Sequence, residues 1–456
     1  MTDPANPAAQ SNAKAWSDRI ADRYECVLSP ALADWFDSEV WAQTGIHEYR
    51  DPVSPARLLD ETPEAIWPGL MSANLVPLIA NMAGDWLCGR IGPDNRVNQI
   101  VQWYHGGGDW IIWGNDLPEA IAFDALMTRL PGQRRRHAIP ADDFVSNSAA
   151  VSAGGETIGP LAKWASNHLP DAIQKLLNSP DGLNSPDGTG AGDATRVANR
   201  MIEHGIAEVA VRCELVQDAL QLSILGSLDR NVLQELQIDP SSIAQWSFDH
   251  ETIPDQQRSP IMAALESRNL ADEFAQQWDV AETHAEAVTR LAPDTAWGWD
   301  VAGYAALRRG DRELAKKRFL SGIDCSCFSD QSIRLETHWI TADASKFSAA
   351  MLAKTFPETL DESEYLRCLC IPNLIERSDS VSEHWRSRAE AATSAGRNGE
   401  AHDHLVAAGW DIGMRPITAF GELIQKIAET AELSGQTARA ALARTHRACL
   451  NDRYGA

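Results

Sequence analysis

The chain has 456 residues, 44% of them hydrophobic, which is enough for roughly two to four domains and a sizeable core. Its formal net charge is −24, with 64 acidic against 40 basic side chains, and a surface of that sign repels phosphate backbones and anionic lipid. Nucleic-acid and membrane partners are therefore not expected; no apolar run approaches bilayer length, and the first residues lack the basic start and apolar centre of a secretory signal.

The expected setting is cytoplasmic, with the eight cysteines as reduced, partly buried thiols. Half of the sixteen tryptophans lie between Trp16 and Trp113, and packing is the expected role of most of them. Residues 1–15 read as a flexible tail. Trp16, Ile20 and Tyr24 recur every four residues and predict a first helix. Ser29 before Pro30 suits a helix start, and Leu32, Trp35, Phe36 and Val40 supply its apolar face. Residues 50–70 hold four prolines and read as connecting loop. Four short apolar runs then follow: Leu75–Ala80, Asp85–Ile91, Val97–Tyr104 and Trp110–Trp113. Each is bounded by Gly, Pro or Asp, which predicts an antiparallel sheet. From Asp116 the period changes, and Leu117, Ile121, Ala125 and Leu126 predict a helix with Pro118 in its first turn.

Over residues 16–130 this order resembles the SUKH superfamily, which joins a fungal cell-wall-synthesis regulator to many bacterial toxin-immunity proteins. The resemblance is carried by Val76-Pro77-Leu78, by Gly84-Asp85-Trp86-Leu87-Cys88, by Gly92 and Val97, and by the Gln99–Trp103 strand. It departs at Arg90, where the family often has an acidic residue. It implies an α+β domain whose concave sheet face docks a protein, with Trp86, Trp103, Tyr104, His105, Asp109 and Trp110 as the partner-binding candidates.

After Leu130 the texture changes. Arg134-Arg135-Arg136-His137 reads as a solvated basic loop. Residues 139–195 are rich in Gly, Ser, Pro, Asn and Asp, with one short helix expected over Pro160–Leu177. LNSPDG occurs twice in tandem, from Leu177 to Gly188, as in a tolerant surface loop. Gly188, Gly190 and Gly192 lack the spacing and preceding strand of a phosphate-binding loop. From Ala194 onward helices are expected, with Val197, Met201, Ile206, Val209 and Cys213 on one face.

An internal spacing marks the last third. Trp299, Gly303, Gly310, Ala315, Phe319 and Gly322 have the same separations as Trp385, Ala389, Gly396, Ala401, Leu405 and Ala408. This resembles the tetratricopeptide repeat, a helix–turn–helix unit in which small residues permit close approach and glycine ends the first helix. A partial unit precedes Pro293, and a weaker one runs through Ile424, Ala428, Gly435 and Ala440. Its polar residues Arg444 and Arg447 would suit a terminal cap. The expected fold class is thus an α+β N-terminal domain, helices on a small mainly antiparallel sheet, followed by an all-α helical-repeat region. The expected segments are 1–15, 16–130, a linker over 131–195, a helical segment over 196–260, repeats over 261–329, a helical connector over 330–381 and further repeats over 382–453.

Cys325-x-Cys327 and Cys368-x-Cys370, near His338 and His384, lack the usual zinc spacing, so buried thiols are expected. His402 and His404 fall on two sides of one helix. Asp85, His105 and Asp109 sit near sheet turns without a motif that sets their geometry. No catalytic, metal or cofactor residue is expected. The first expectation is a non-enzymatic protein-binding scaffold or regulator. The alternatives are an immunity protein that occludes a cognate, basic toxin domain, and an enzyme whose site lies in the helical region.

Overall fold

The structure, a computed structural model, describes residues 14–42, 49–81, 83–132, 160–178, 191–228, 230–271, 274–413 and 416–455. The Arg134–His137 cluster and nearly all of the duplicated LNSPDG lie outside the described residues. Helix α1 spans Trp16–Tyr24 and buries Ile20 and Tyr24. Helix α2 spans Pro30–Asp37; the Ser29 hydroxyl accepts from the Leu32 N–H at 3.0 Å, and Pro30 fixes the first turn.

A five-stranded antiparallel meander follows, in the order β1 (Tyr49–Pro52), β2 (Leu75–Asn81), β3 (Trp86–Ile91), β4 (Val97–Trp103) and β5 (Trp110–Gly114). Strand β1 lies in the stretch read as loop; it is four residues long and ends in a proline, which an edge position tolerates. Trp86 faces Trp103, and Trp103 faces Trp110. Directly opposed residues share a face, so three tryptophans form one row across β3, β4 and β5. Leu87, Gln102 and Ile111 form the row on the other face, which carries α3 (Leu117–Leu126), with Phe123 edge-on to Trp113 at 5.0 Å.

The α+β unit does not stop at Leu130. Helices α4 (Pro160–Asn167) and α5 (Asp171–Asn178), separated at Pro170, take the place of the one short helix expected in a linker. Helix α4 packs on α3, and its Trp164 indole donates to Asp34 at 2.7 Å while lying 5.3 Å from Trp35. Helices α6 (Ala191–Glu203) and α7 (Glu208–Leu220) continue the chain, and α7 packs on β5. Next come α8 (Arg230–Glu235), α9 (Ile243–Phe248) and α10 (Asp255–Glu266), which share a small core of their own.

The remaining elements among the described residues are helices. Helix α11 (Trp278–Leu291) packs on α7 and on α12 (Ala296–Arg308). Helix α13 (Arg312–Ile323) pairs with α12; α14 (Gln331–Thr337), α15 (Phe347–Thr355) and α16 (Glu364–Leu369) form the connector. Helix α17 (Leu374–Ser394) pairs with α18 (Asn398–Trp410), and α19 (Phe420–Leu433) with α20 (Thr437–Tyr454). The turns of the three hairpins are alike. Gly310, Gly396 and Gly435 have φ of 88°, 74° and 77°. The N–H of the following residue returns in each case to a carbonyl five residues back, in Ala306, Ala392 and Ala431.

Helix α20 does not end the array in solvent. Arg444 is exposed, but Leu442, Thr445, His446, Cys449 and Leu450 are buried. Arg453 donates to the carbonyls of Pro63 and Ile66 at 2.6 and 2.5 Å, and Arg439 to that of Ile91 at 3.0 Å. The expected cap is therefore a docking helix, and one apolar core runs from Ile20 to Leu450 through both halves. Among the described residues, no helix is long and apolar enough to cross a membrane.

Candidate interaction surfaces

The sheet face that carries the tryptophan row is covered by other segments of the same chain, with Trp67 lying 6.2 Å from the Trp103 ring. Trp86 and Trp103 are buried. Trp110 is half-buried; its backbone N–H donates to the Phe328 carbonyl at 2.7 Å, and the Arg90 guanidinium lies 4.8 Å from its ring. Arg90, on the same face, pairs with Asp294 at 2.7 Å in the loop between α11 and α12. Asp109 is wholly buried and paired with Arg334 of α14. Desolvation pushes its carboxyl above the ordinary value, against the pull of that arginine. Gly107 makes the inward turn feasible, because a Cβ there would lie 2.5 Å from Asp109 Oδ2.

Two residues of the expected docking set remain. Tyr104 is half-buried, with its hydroxyl on Gln102 at 2.9 Å. His105 is exposed, and its backbone N–H and Nδ1 both lie 3.1 Å from Asp85 Oδ1. The ring rests on Gly84, whose φ of 91° and missing Cβ keep the turn open. Asp85 and His105 are thus brought together, while Asp109 points away into the seam.

A polar cluster that carries almost no local sequence signal joins the hairpins. The Lys346 ammonium, buried before α15, donates to the Ile323 carbonyl at 2.6 Å and the Tyr365 hydroxyl at 2.8 Å, and pairs with Asp411. Tyr365 donates to the same carboxylate, and so does the Trp385 indole at 3.0 Å. Every polar group here has a partner, so the cluster fastens α13, α15, α16, α17 and α18 together in one geometry. His384 stacks on Tyr365 and His404 on Trp385, and desolvation lowers both imidazoles. Nearby, burial raises the Asp300 carboxyl, bonded to Ser348, to about 7.

The cysteine pairs are free thiols. Burial pushes Cys327 up to about 12 and raises Cys325, Cys368 and Cys370 too, which makes them poor nucleophiles. Among the described residues no group of three His, Cys, Asp or Glu side chains is placed to hold a metal ion. His402 is buried against the Ile427 carbonyl.

The helical half presents one outward face of α13 to solvent, made of Glu313, Lys316, Lys317, Leu320, Ser321 and Asp324. Lys316 pairs with Glu358 at 3.2 Å, and Leu320 is 37% exposed. Mixed charge around a single apolar side chain suits a polar protein segment better than a small apolar ligand. No protein-family model matches the chain, and searches of curated proteins and of solved structures return no match.

Proposed function

We propose that this chain is a non-enzymatic interaction protein, a scaffold or regulator that holds a protein partner on its helical hairpins. The observation that carries this reading is the open face of α13, charged around Leu320, set beside hairpins that a buried lysine–aspartate cluster makes rigid. The sequence resemblances to the SUKH superfamily and to the tetratricopeptide repeat point the same way, since both imply protein binding. The reading calls for no cofactor, and the expected location is cytoplasmic. The sheet face contributes through its exposed end, His105 with Tyr104 and Trp110, because its centre is taken up by the chain itself.

Affinity capture with the full chain tests this. A partner held by the wild type and lost from a Lys317→Glu/Leu320→Asp variant of unchanged melting temperature is the expected result. Identical capture by both proteins would remove the α13 face from the account.

A second reading, an immunity protein, is favoured by the net charge of −24, which would steer a basic toxin domain onto the surface. It predicts a large toxin reading frame beside the gene and an association rate that falls steeply with salt. A salt-independent rate with the encoded toxin domain would count against it.

A further inference from the structure

We propose that the inner face of α12 is a receptor for a peptide bearing phenylalanine followed by aspartate, held shut in the resting chain by its own residues 247–251. This rests on the protein-binding reading above and names a second partner chemistry for the helical half.

The occupant is visible. Phe248, at the end of α9, is wholly buried, yet it belongs to the main core while its neighbours Trp246 and Ile253 belong to the small separate one. Its ring lies edge-on to Trp278, Tyr304 and Phe347 at 5.4, 5.0 and 5.2 Å, one aromatic each from α11, α12 and α15. Asp249 follows in a charge clamp. Arg308 Nη1 lies 2.5 Å from each of its carboxylate oxygens, and the Tyr304 hydroxyl donates to Oδ2 at 2.8 Å. The same guanidinium pairs with Glu251 at 2.7 Å and stacks 5.1 Å from the Trp278 ring.

The main chain of the segment is read as well. Gln276 Nε2 donates to the carbonyls of Ser247 and Phe248 at 3.2 and 3.1 Å, and its Oε1 accepts from the His250 N–H at 3.0 Å. An aromatic pocket, an arginine that bridges two carboxylates and an amide that reads backbone are the components of sequence-specific peptide recognition.

The segment also sits on a unit with a core of its own, which meets the rest of the chain through α9 on α14 as well as through Phe248. Residues 224–270 carry their own nine-residue buried core. The entering and leaving chains are tied together at the root, where the Gln277 N–H donates to the Ala219 carbonyl at 2.8 Å. Helices α7 and α11 pack directly on each other beneath it. Lifting the unit parts α9 from α14 and exposes the pocket, while α7 and α11 stay packed on each other. A peptide of the same chemistry competes for that pocket by mass action.

The test uses the full chain and a labelled peptide spanning residues 245–252, Gln-Trp-Ser-Phe-Asp-His-Glu-Thr, followed by fluorescence anisotropy. A Phe248→Ala/Asp249→Ala variant empties the pocket and is expected to bind this peptide about tenfold or more tighter than the wild type does. Adding Arg308→Met to that variant abolishes the gain, and a peptide with asparagine in place of the aspartate binds weakly. Asp249→Asn, which keeps the aromatic knob, gives an intermediate affinity and carries the test if the double variant does not melt cooperatively. A folded variant that binds no better than the wild type overturns the proposal. So does failure of both variants to fold, since the segment would then be a fixed part of the core. Absent peptide binding, with partner capture through Leu320 intact, rejects this site and leaves the general reading standing.

Discussion

A Cβ on Gly303 would sit 2.6 Å from the ring of Phe319, closer than real carbon contacts allow. The equivalent positions of the next hairpin hold Ala389 and Leu405, both buried, so a smaller partner goes with one more methyl. Gly303→Ala is therefore expected to cost about 1–3 kcal/mol, and most of that cost should vanish in a Phe319→Leu background. Urea unfolding of the four proteins measures the coupling; strictly additive costs would contradict the pairing. Burial acts on single titrating groups too. His446 is wholly buried and its imidazole is pulled down to about 4 by desolvation. The folded chain keeps it neutral, whereas the unfolded chain protonates it near 6.5. A depressed value means that stability is intact above about pH 6.5 and is lost as pH falls toward 4, about 2 kcal/mol of it by pH 5. Asp300, raised to about 7, has the opposite sign: its contribution is present at low pH and is lost as pH rises toward 7. The histidine effect is therefore read against a His446→Gln variant, and the wild type's advantage should shrink between pH 7.5 and pH 5. An advantage of equal size at both values would rule the titration out.

At the scale of elements, the turns make the sharpest forecast. Nothing lies within 4 Å of a Cβ built on Gly310, Gly396 or Gly435, so alanine there meets no clash and only the left-handed backbone. Each substitution is expected to lower stability by about 1 kcal/mol, and by the same amount at all three. Thermal melts check this; a cost confined to one turn would mean that the hairpins are not equivalent. These turns were legible in the sequence because glycine spacing reports a local conformation. So were β2 to β5, whose apolar runs end within a residue or so of the observed strands. Strand β1 was not, because four edge residues ending in Pro52 carry no alternation. The Lys346–Asp411 and Asp249–Arg308 pairs were invisible for another reason. Their partners lie 65 and 59 residues apart, and each residue alone reads as surface charge. Only the tertiary fold makes them buried pairs.

For the whole molecule, the tryptophan row decides how the halves relate. The resemblance to the SUKH superfamily implies Trp86, Trp103 and Trp110 as docking residues, and in the structure the surface they meet belongs to the same chain. Arg90–Asp294, Asp109–Arg334 and the Arg453 bonds to Pro63 and Ile66 then close the helical half onto the N-terminal half. The asparagine of the β3–β4 turn adds to this, since Asn95 donates to the Gly435 carbonyl and accepts from the Ala438 N–H, both at 3.0 Å. With that sheet face covered, the outward face of α13 is the surface proposed for the partner. Hydrogen exchange on the full chain, alone and with its captured partner, tests that most directly. The account predicts new protection along residues 312–324 and unchanged exchange in strands 86–91 and 97–103; protection confined to residues 86–110, with 312–324 unaffected, would contradict it.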